Sequence, residues 1–141
     1  MSTNLRSAFF ASQAALPFLK ESKGNVVNVS SCVSLTPNKY CAYTISKAGM
    51  DQLTMNTAKA FAEYGIRVNS VHPGVVVTKL FDPACFSHDQ VVDFAKELHV
   101  LQKRPIKFDE LAAAVAFLAS EHAAMITGCI MPIDGGYHLV N

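Results

Sequence analysis

NVVNVSS (Asn25–Ser31) and IRVNSVH (Ile66–His72) are two short β-branched runs. Between them lies a segment of helical character from about Tyr43 to Tyr64 that opens with YTISKAGMDQLT. Valine and isoleucine suit a pleated, buried surface, so each run predicts a strand. A loop containing Pro37 precedes the helix, Gly65 ends it, and Pro73-Gly74 closes the second strand. Parallel strands need a long crossover, whereas antiparallel strands can be joined by a tight turn. Strand, helix, strand therefore predicts a parallel sheet with right-handed connections.

The alternation continues outward in both directions. Upstream, a helix from about Thr3 to Lys20 stops near Lys23-Gly24. Downstream comes a variable stretch, Val75 to Lys107, with a helix expected from His88 to Leu101. DELAAAVAFLAS (Asp109–Ser120) is a helix whose Asp109 and Glu110 favour its N-terminal dipole. CIMPI (Cys129–Ile133) is a third strand, ahead of Asp134-Gly135-Gly136. The 141 residues fit one domain of α/β class, with about three parallel strands and flanking helices. Such sheets bind ligands outside the carboxyl ends of their strands. That directs attention to Ser30-Ser31, His72-Pro73-Gly74 and Asp134-Gly135-Gly136.

Composition removes several function classes. Half the residues are apolar and only 16% are charged, against a usual ~25%, which excludes a disordered tail or a coiled coil. With 12 Lys+Arg against 11 Asp+Glu there is no basic footprint for nucleic acid or an anionic membrane. The longest apolar run, Leu111–Ala119, is nine residues, about half of a membrane span. Arg6 followed by AFFASQAALPFL imitates a signal peptide, but Ser12, Gln13 and Pro17 interrupt it. Leu5, Ala8, Phe9, Ala15, Leu16 and Leu19 instead approximate one helical face. Cys32, Cys41, Cys85 and Cys129 form no C-x-x-C and are expected as buried, reduced thiols in a cytoplasmic protein. The five histidines show no metal-ligand spacing, and no metal is expected.

Tyr43 and Lys47 are spaced Y-x-x-x-K, which puts both on one helix face, a turn apart. A phenol with a pKa of ~10 needs about 4 kcal/mol to titrate near neutrality. An ammonium ~4 Å away at an effective dielectric of ~20 supplies about that much. Such a pair makes a phenol that exchanges protons at neutral pH. By itself the spacing arises easily by chance. Its context is narrower: Ser31 stands at the end of the preceding strand, and Pro73-Gly74 ends the following one.

In this order the residues resemble the short-chain dehydrogenase/reductase family. NVVNVSS, YTISKAGMDQLT and IRVNSVHPGVVVT resemble its serine strand, its Y-x-x-x-K helix and its N-x-V-x-P-G-x-x-x-T segment. FDELAAAVAFLAS and ITGCIMPIDGG resemble its last helix and strand, and Asn4 its helix asparagine. The resemblance implies an NAD(P)-dependent oxidoreductase interconverting an alcohol and a ketone or aldehyde. Tyr43 would be the general acid or base, and Lys47 would lower its pKa and bond the nicotinamide ribose. Ser31 would orient the substrate oxygen. Asn4 would hold a water linking Lys47 to solvent. Pro73, Gly74, Val76 and Thr78 would contact the nicotinamide end of NAD or NADP. A small-molecule substrate and a homo-oligomer, dimer or tetramer, are implied as partners.

Two departures qualify that picture. In the family the serine more often precedes the tyrosine by thirteen positions, which picks Ser30; Ser31 is preferred as the second serine of the V-S-S element. The seven glycines contain no G-x-G-x-x-G, so the phosphate loop and the first strands of the family are not in this sequence. Residues 1–141 therefore read as a single, partial Rossmann-type domain: the C-terminal, catalytic half of a doubly wound sheet, without the nucleotide-binding half. The selector between NAD and NADP goes with that half. A non-catalytic dimerisation or interaction module is the alternative. A serine hydrolase ranks below both, because G-x-S-x-G is absent. The segment Lys79–Arg104, with Leu80, Phe81, Phe86, Val91, Val92, Phe94, Leu98 and Leu101, is either an apolar substrate lid or ordinary helix packing.

Overall fold

The computed structural model describes residues 1–37, 40–81 and 86–140. Strands β1 (Asn25–Val29), β2 (Arg67–Pro73) and β3 (Ile130–Ile133) form one sheet in that order. Both pairings are parallel, with Val27 opposite Asn69 and Val71 opposite Met131. The helices are α1 (Ser7–Ser22), α2 (Cys41–Phe61), α3 (His88–Leu98) and α4 (Phe108–Ala119). This is the expected α/β arrangement of parallel strands with flanking helices.

Element ends differ from expectation for local reasons. Strand β1 stops at Val29; Ser30 still donates its N–H to the Val71 carbonyl, while Ser31 turns into a 3₁₀ segment, Cys32–Leu35. Helix α1 ends at the Lys23-Gly24 pair, where Lys23 itself takes the left-handed conformation (φ 50°). Helix α3 ends at Leu98, because His99 leaves helical backbone angles. Ahead of α1, residues Ser2–Arg6 form one widened π-helical turn.

Strand side chains alternate between sheet faces, so their partners assign the layers. Thr54 of α2 accepts from Asn28, and Asp51 of α2 from His72. On the opposite parity, the carbonyls of Ala119 and Leu118 at the end of α4 accept from Asn25 and Arg67. Helices α2 and α4 thus cover opposite faces. The strands advance in one direction, so two crossovers on opposite faces have opposite hands. One of the pair is left-handed, which corrects the expectation that both turn right. The first apolar cluster, Ala58, Phe61, Ile66 and Val68, lies on the α2 face and is joined by Leu16, Leu19 and Val26. A second, Val75, Val91 and Ala95 with Val77, Phe81 and Leu98, packs α3 against the chain leaving β2.

Asn69 ties the entry of β3 to the central strand. Fully buried, it donates from Nδ2 to the Ile126 carbonyl (2.8 Å) and accepts on Oδ1 from the Cys129 N–H (3.0 Å). Asn69→Ala strands both backbone groups, and should lower stability by about 2 kcal/mol. Chemical denaturation of the full-length gene product checks this; a change below about 0.5 kcal/mol would show that other groups satisfy them.

Candidate active site

The carboxyl ends of β1, β2 and β3 deliver Ser30-Ser31, His72-Pro73-Gly74 and Asp134-Gly135 to one edge of the sheet. Helix α2 runs past that edge with Tyr43, Lys47 and Asp51 at successive turns of one face. Two bonds lock the helix to the end of β1. Ser30 Oγ donates to the Lys47 carbonyl (3.1 Å), and Lys47 Nζ donates to the Val29 carbonyl (2.7 Å). The adjacent serines therefore do different work: Ser30 is buried on helix backbone, while the Ser31 hydroxyl faces the Tyr43 phenol and favours its ionised form.

Burial pushes the Tyr43 phenol above its ordinary value, and the Cys32 thiol adds to the rise; the Ser31 hydroxyl beside it recovers only part. This is opposite to the lowering expected from the Y-x-x-x-K spacing. The physical reason is where the ammonium goes. Lys47 Nζ sits 5.7 Å from the centre of the Tyr43 ring and is aimed at the Val29 carbonyl. Burial lowers the pKa of Lys47, and the Asp51 carboxylate opposes that. For Asp51, burial raises the pKa, but the bond with His72 and the nearby hydroxyls of Ser34 and Ser30 outweigh it, so the carboxyl lies below its ordinary value. His72 Nε2 and Asp51 Oδ1 are 2.7 Å apart and both side chains are buried.

Asn4 sits in the widened turn before α1. Its Nδ2 donates to Ser46 Oγ (3.0 Å), and Ser46 Oγ donates to the Tyr43 carbonyl (2.7 Å). Asn4 thus reaches α2 at the residue next to Lys47. The approach is close: a Cβ on Gly49 would stand 2.7 Å from Leu5 Cδ2, so the leucine side chain would have to shift.

Pro73 and Gly74 end β2, with the Gly74 N–H donated to the Ile133 carbonyl (2.9 Å). Val76 is buried and bridges to Ile106. It contributes backbone and packing more than an open side chain. Thr78 Oγ1 accepts the Leu80 N–H (3.2 Å), closing a local turn. The segment 79–104 divides. Val91 and Leu98 pack inward with Phe81, while Leu80, Phe86, Phe94 and Leu101 are exposed; residues 82–85, Cys85 among them, lie outside the described residues.

Of the cysteines, Cys32 is buried, Cys129 half-buried and Cys41 exposed, so the expectation of uniformly buried thiols is corrected for Cys41. Burial, aided by Asp134, pushes the Cys32 thiol up to about 12, which keeps it protonated and unreactive. Among the described residues no His, Cys, Asp and Glu side chains gather as a metal-binding group, and no helix is long and apolar enough to cross a membrane.

Sequence reasoning passed over the Asp51–His72 pair, although Asp51 follows Lys47 by one helical turn and His72 adjoins Pro73-Gly74. It also passed over His99, which carries no signature spacing.

The Lys47 ammonium has three N–H donors and the described structure engages one, with Val29. The remaining two, beside a phenol and a serine hydroxyl, are a donor set suited to the hydroxyls of a ribose. The residues present fit the nicotinamide end of a dinucleotide.

A family model described as enoyl-(acyl carrier protein) reductase matches residues 1–138. L-xylulose reductase of Caenorhabditis elegans is 37% identical over 123 residues, spanning 84% of this chain and 47% of that protein. L-rhamnose 1-dehydrogenase (NAD(P)(+)) of Sphingomonas sp. (strain SKA58) is 34% identical over 143 residues, 96% of this chain and 54% of that protein. A solved structure described as ribose-5-phosphate isomerase from Brucella melitensis 16M superposes with a TM-score of 0.87 at 32% identity, covering 97% of this chain and 53% of the other. The chain spans about half the length of the curated relatives it matches, in keeping with the C-terminal half expected from its motifs. With a family match over nearly all its length and the parallel α/β fold beneath it, the chain belongs to the short-chain dehydrogenase/reductase family.

Proposed function

We propose that the protein carrying this chain is an NAD(P)-dependent oxidoreductase that interconverts an alcohol and a ketone or aldehyde. One observation carries the reading: Tyr43 and Lys47 share a face of α2 at the carboxyl ends of β1 and β2, with the Ser31 hydroxyl near enough to the Tyr43 phenol to favour its ionised form. The names of relatives, reductases and dehydrogenases, support it. The cofactor, when bound, supplies or accepts the hydride.

The protein's residues handle the proton and the oxygen. In reduction the Tyr43 phenol gives its proton to the carbonyl oxygen, and in oxidation the phenolate takes the proton of the alcohol. Ser31 donates a hydrogen bond to the same oxygen and stabilises charge developing there. Lys47 holds a positive charge beside Tyr43 and offers its free N–H groups to ribose hydroxyls. Asn4, reaching α2 beside Lys47, serves as the start of a proton path to solvent. Pro73, Gly74, Val76 and Thr78 line the nicotinamide end.

Exposed aromatic residues on α1 favour a second role beside catalysis. Phe9 and Phe10 are 47 and 51% exposed, with their rings packed edge to face, an apolar patch suited to association with another subunit.

Tyr43→Phe in the full-length gene product should cut carbonyl reduction by at least about 10²-fold; near-normal turnover would remove Tyr43 from the mechanism. Lys47→Ala should weaken both turnover and cofactor binding, and an unchanged cofactor affinity would refute the ribose contact.

Because burial raises the Tyr43 pKa, the phenol stays protonated at neutrality and the phenolate appears only as pH rises. Alcohol oxidation should therefore climb towards alkaline pH while carbonyl reduction declines. A pH–rate profile in both directions reads this, and opposite slopes would overturn it.

Residues 1–141 alone should neither turn over substrate nor bind NAD(H) or NADP(H) at micromolar concentration, as no phosphate-binding glycine loop is among them. Calorimetric titration beside an assay over several ketones and alcohols decides this. Turnover by a 15.3 kDa monomer would refute it.

A further inference from the structure

His99 follows the last residue of α3 and is 1% exposed. Both ring nitrogens are engaged. Nε2 lies 3.0 Å from the Val75 backbone N–H, and Nδ1 lies 2.6 Å from the Arg104 carbonyl. A carbonyl only accepts, so Nδ1 carries a proton; an N–H only donates, so Nε2 is bare. The two partners together require a neutral imidazole in a single tautomer.

The ring is also wedged between strand ends. A Cβ on Gly74 would stand 2.5 Å from His99 Nε2, and one on Gly135 would stand 2.9 Å from His99 Cβ. Gly135 is further held to left-handed backbone (φ 59°), where a side chain is disfavoured. The segment beyond His99 folds back over the same two places. Leu101 donates its N–H to the Gly135 carbonyl (2.8 Å), and Ile106 donates to the Val75 carbonyl (2.9 Å). Arg104, whose carbonyl orients the imidazole, is gripped at its guanidinium by Glu110 in the first turn of α4. An unbroken set of contacts thus runs from α4 through Arg104 and His99 to the Val75 amide.

We propose that His99 is a positioning residue. Through the Val75 N–H it sets the backbone that follows β2, residues 73–76, and couples it to the segment 99–106 leaving α3. The proposal rests on the reading above, in which residues 73–78 line the nicotinamide end. A ring that merely filled space would need no particular tautomer and no acceptor at Nε2. This one supplies the acceptor that an otherwise buried backbone donor requires.

The test separates filling from positioning in the full-length gene product. His99→Phe keeps the volume of the ring and removes its acceptor. It should raise the KM for cofactor about tenfold, with a smaller change in kcat, and speed amide exchange at Val75. His99→Gln, which returns an acceptor near the Nε2 position, should recover part of both. Unchanged KM and unchanged Val75 exchange in a folded His99→Phe would overturn the proposal, and so would equal behaviour of the two variants. Should His99→Phe not fold, nitrogen NMR of the wild-type imidazole decides instead. The Nδ1–H tautomer supports the proposal; the Nε2–H tautomer or an imidazolium at neutral pH overturns it. Absence of any NAD(P)H-dependent turnover would sink the oxidoreductase reading, while exchange and NMR still decide whether His99 holds Val75.

Discussion

The site depends on a reciprocal lock between α2 and the end of β1: a serine hydroxyl on the lysine's own carbonyl, and the lysine's ammonium on a strand carbonyl. Both bonds converge on Lys47, so the helix is fixed in rotation as well as in height. Every other side chain on that face of α2 inherits its position. Tyr43 is carried to Ser31 a turn above, and Asp51 to His72 a turn below. An ammonium withdrawn from water is costly unless it is bonded and balanced. The Val29 carbonyl does the first and the Asp51 carboxylate the second.

That balance explains why the phenol is not acidified in this structure. Lysine and aspartate lie one turn apart, so the positive charge near Tyr43 is partly answered before it reaches the ring. Burial then dominates and keeps the phenol protonated. A protonated phenol is the form that reduction of a carbonyl requires.

The sequence made the strands legible because β-branched runs ending in Ser-Ser and Pro-Gly leave few other readings, and α2 because its motif and Gly65 mark its course. It also made the shared face of Tyr43 and Lys47 legible, since helical spacing alone produces it. What stayed hidden depends on contacts between distant residues. The hand of the crossovers follows from which face α4 covers, and that is settled by Asn25 and Arg67 reaching carbonyls over fifty positions away. The direction of the Tyr43 shift depends on where the Lys47 ammonium points, which spacing does not encode. His99 meets Val75 across 24 positions, with no local periodicity to announce it. The stop at Lys23-Gly24 was legible, but nothing local marks Lys23 as the residue that turns left-handed.

The long passage from Gly74 to Cys129 between two adjacent parallel strands has a consequence for how such a protein can change. Ser31, Tyr43 and Lys47 lie outside it, after β1 and on α2, whereas the apolar side chains exposed around Leu80, Phe94 and Leu101 lie within it. Closing a longer loop adds only about 0.6 kcal/mol for each doubling of its length. Insertions and deletions there are cheap, provided they spare the few backbone bonds that tie the passage to Val75 and Gly135. The passage can therefore be rewritten in evolution while the face of α2 that holds Tyr43 and Lys47 to the end of β1 stands still.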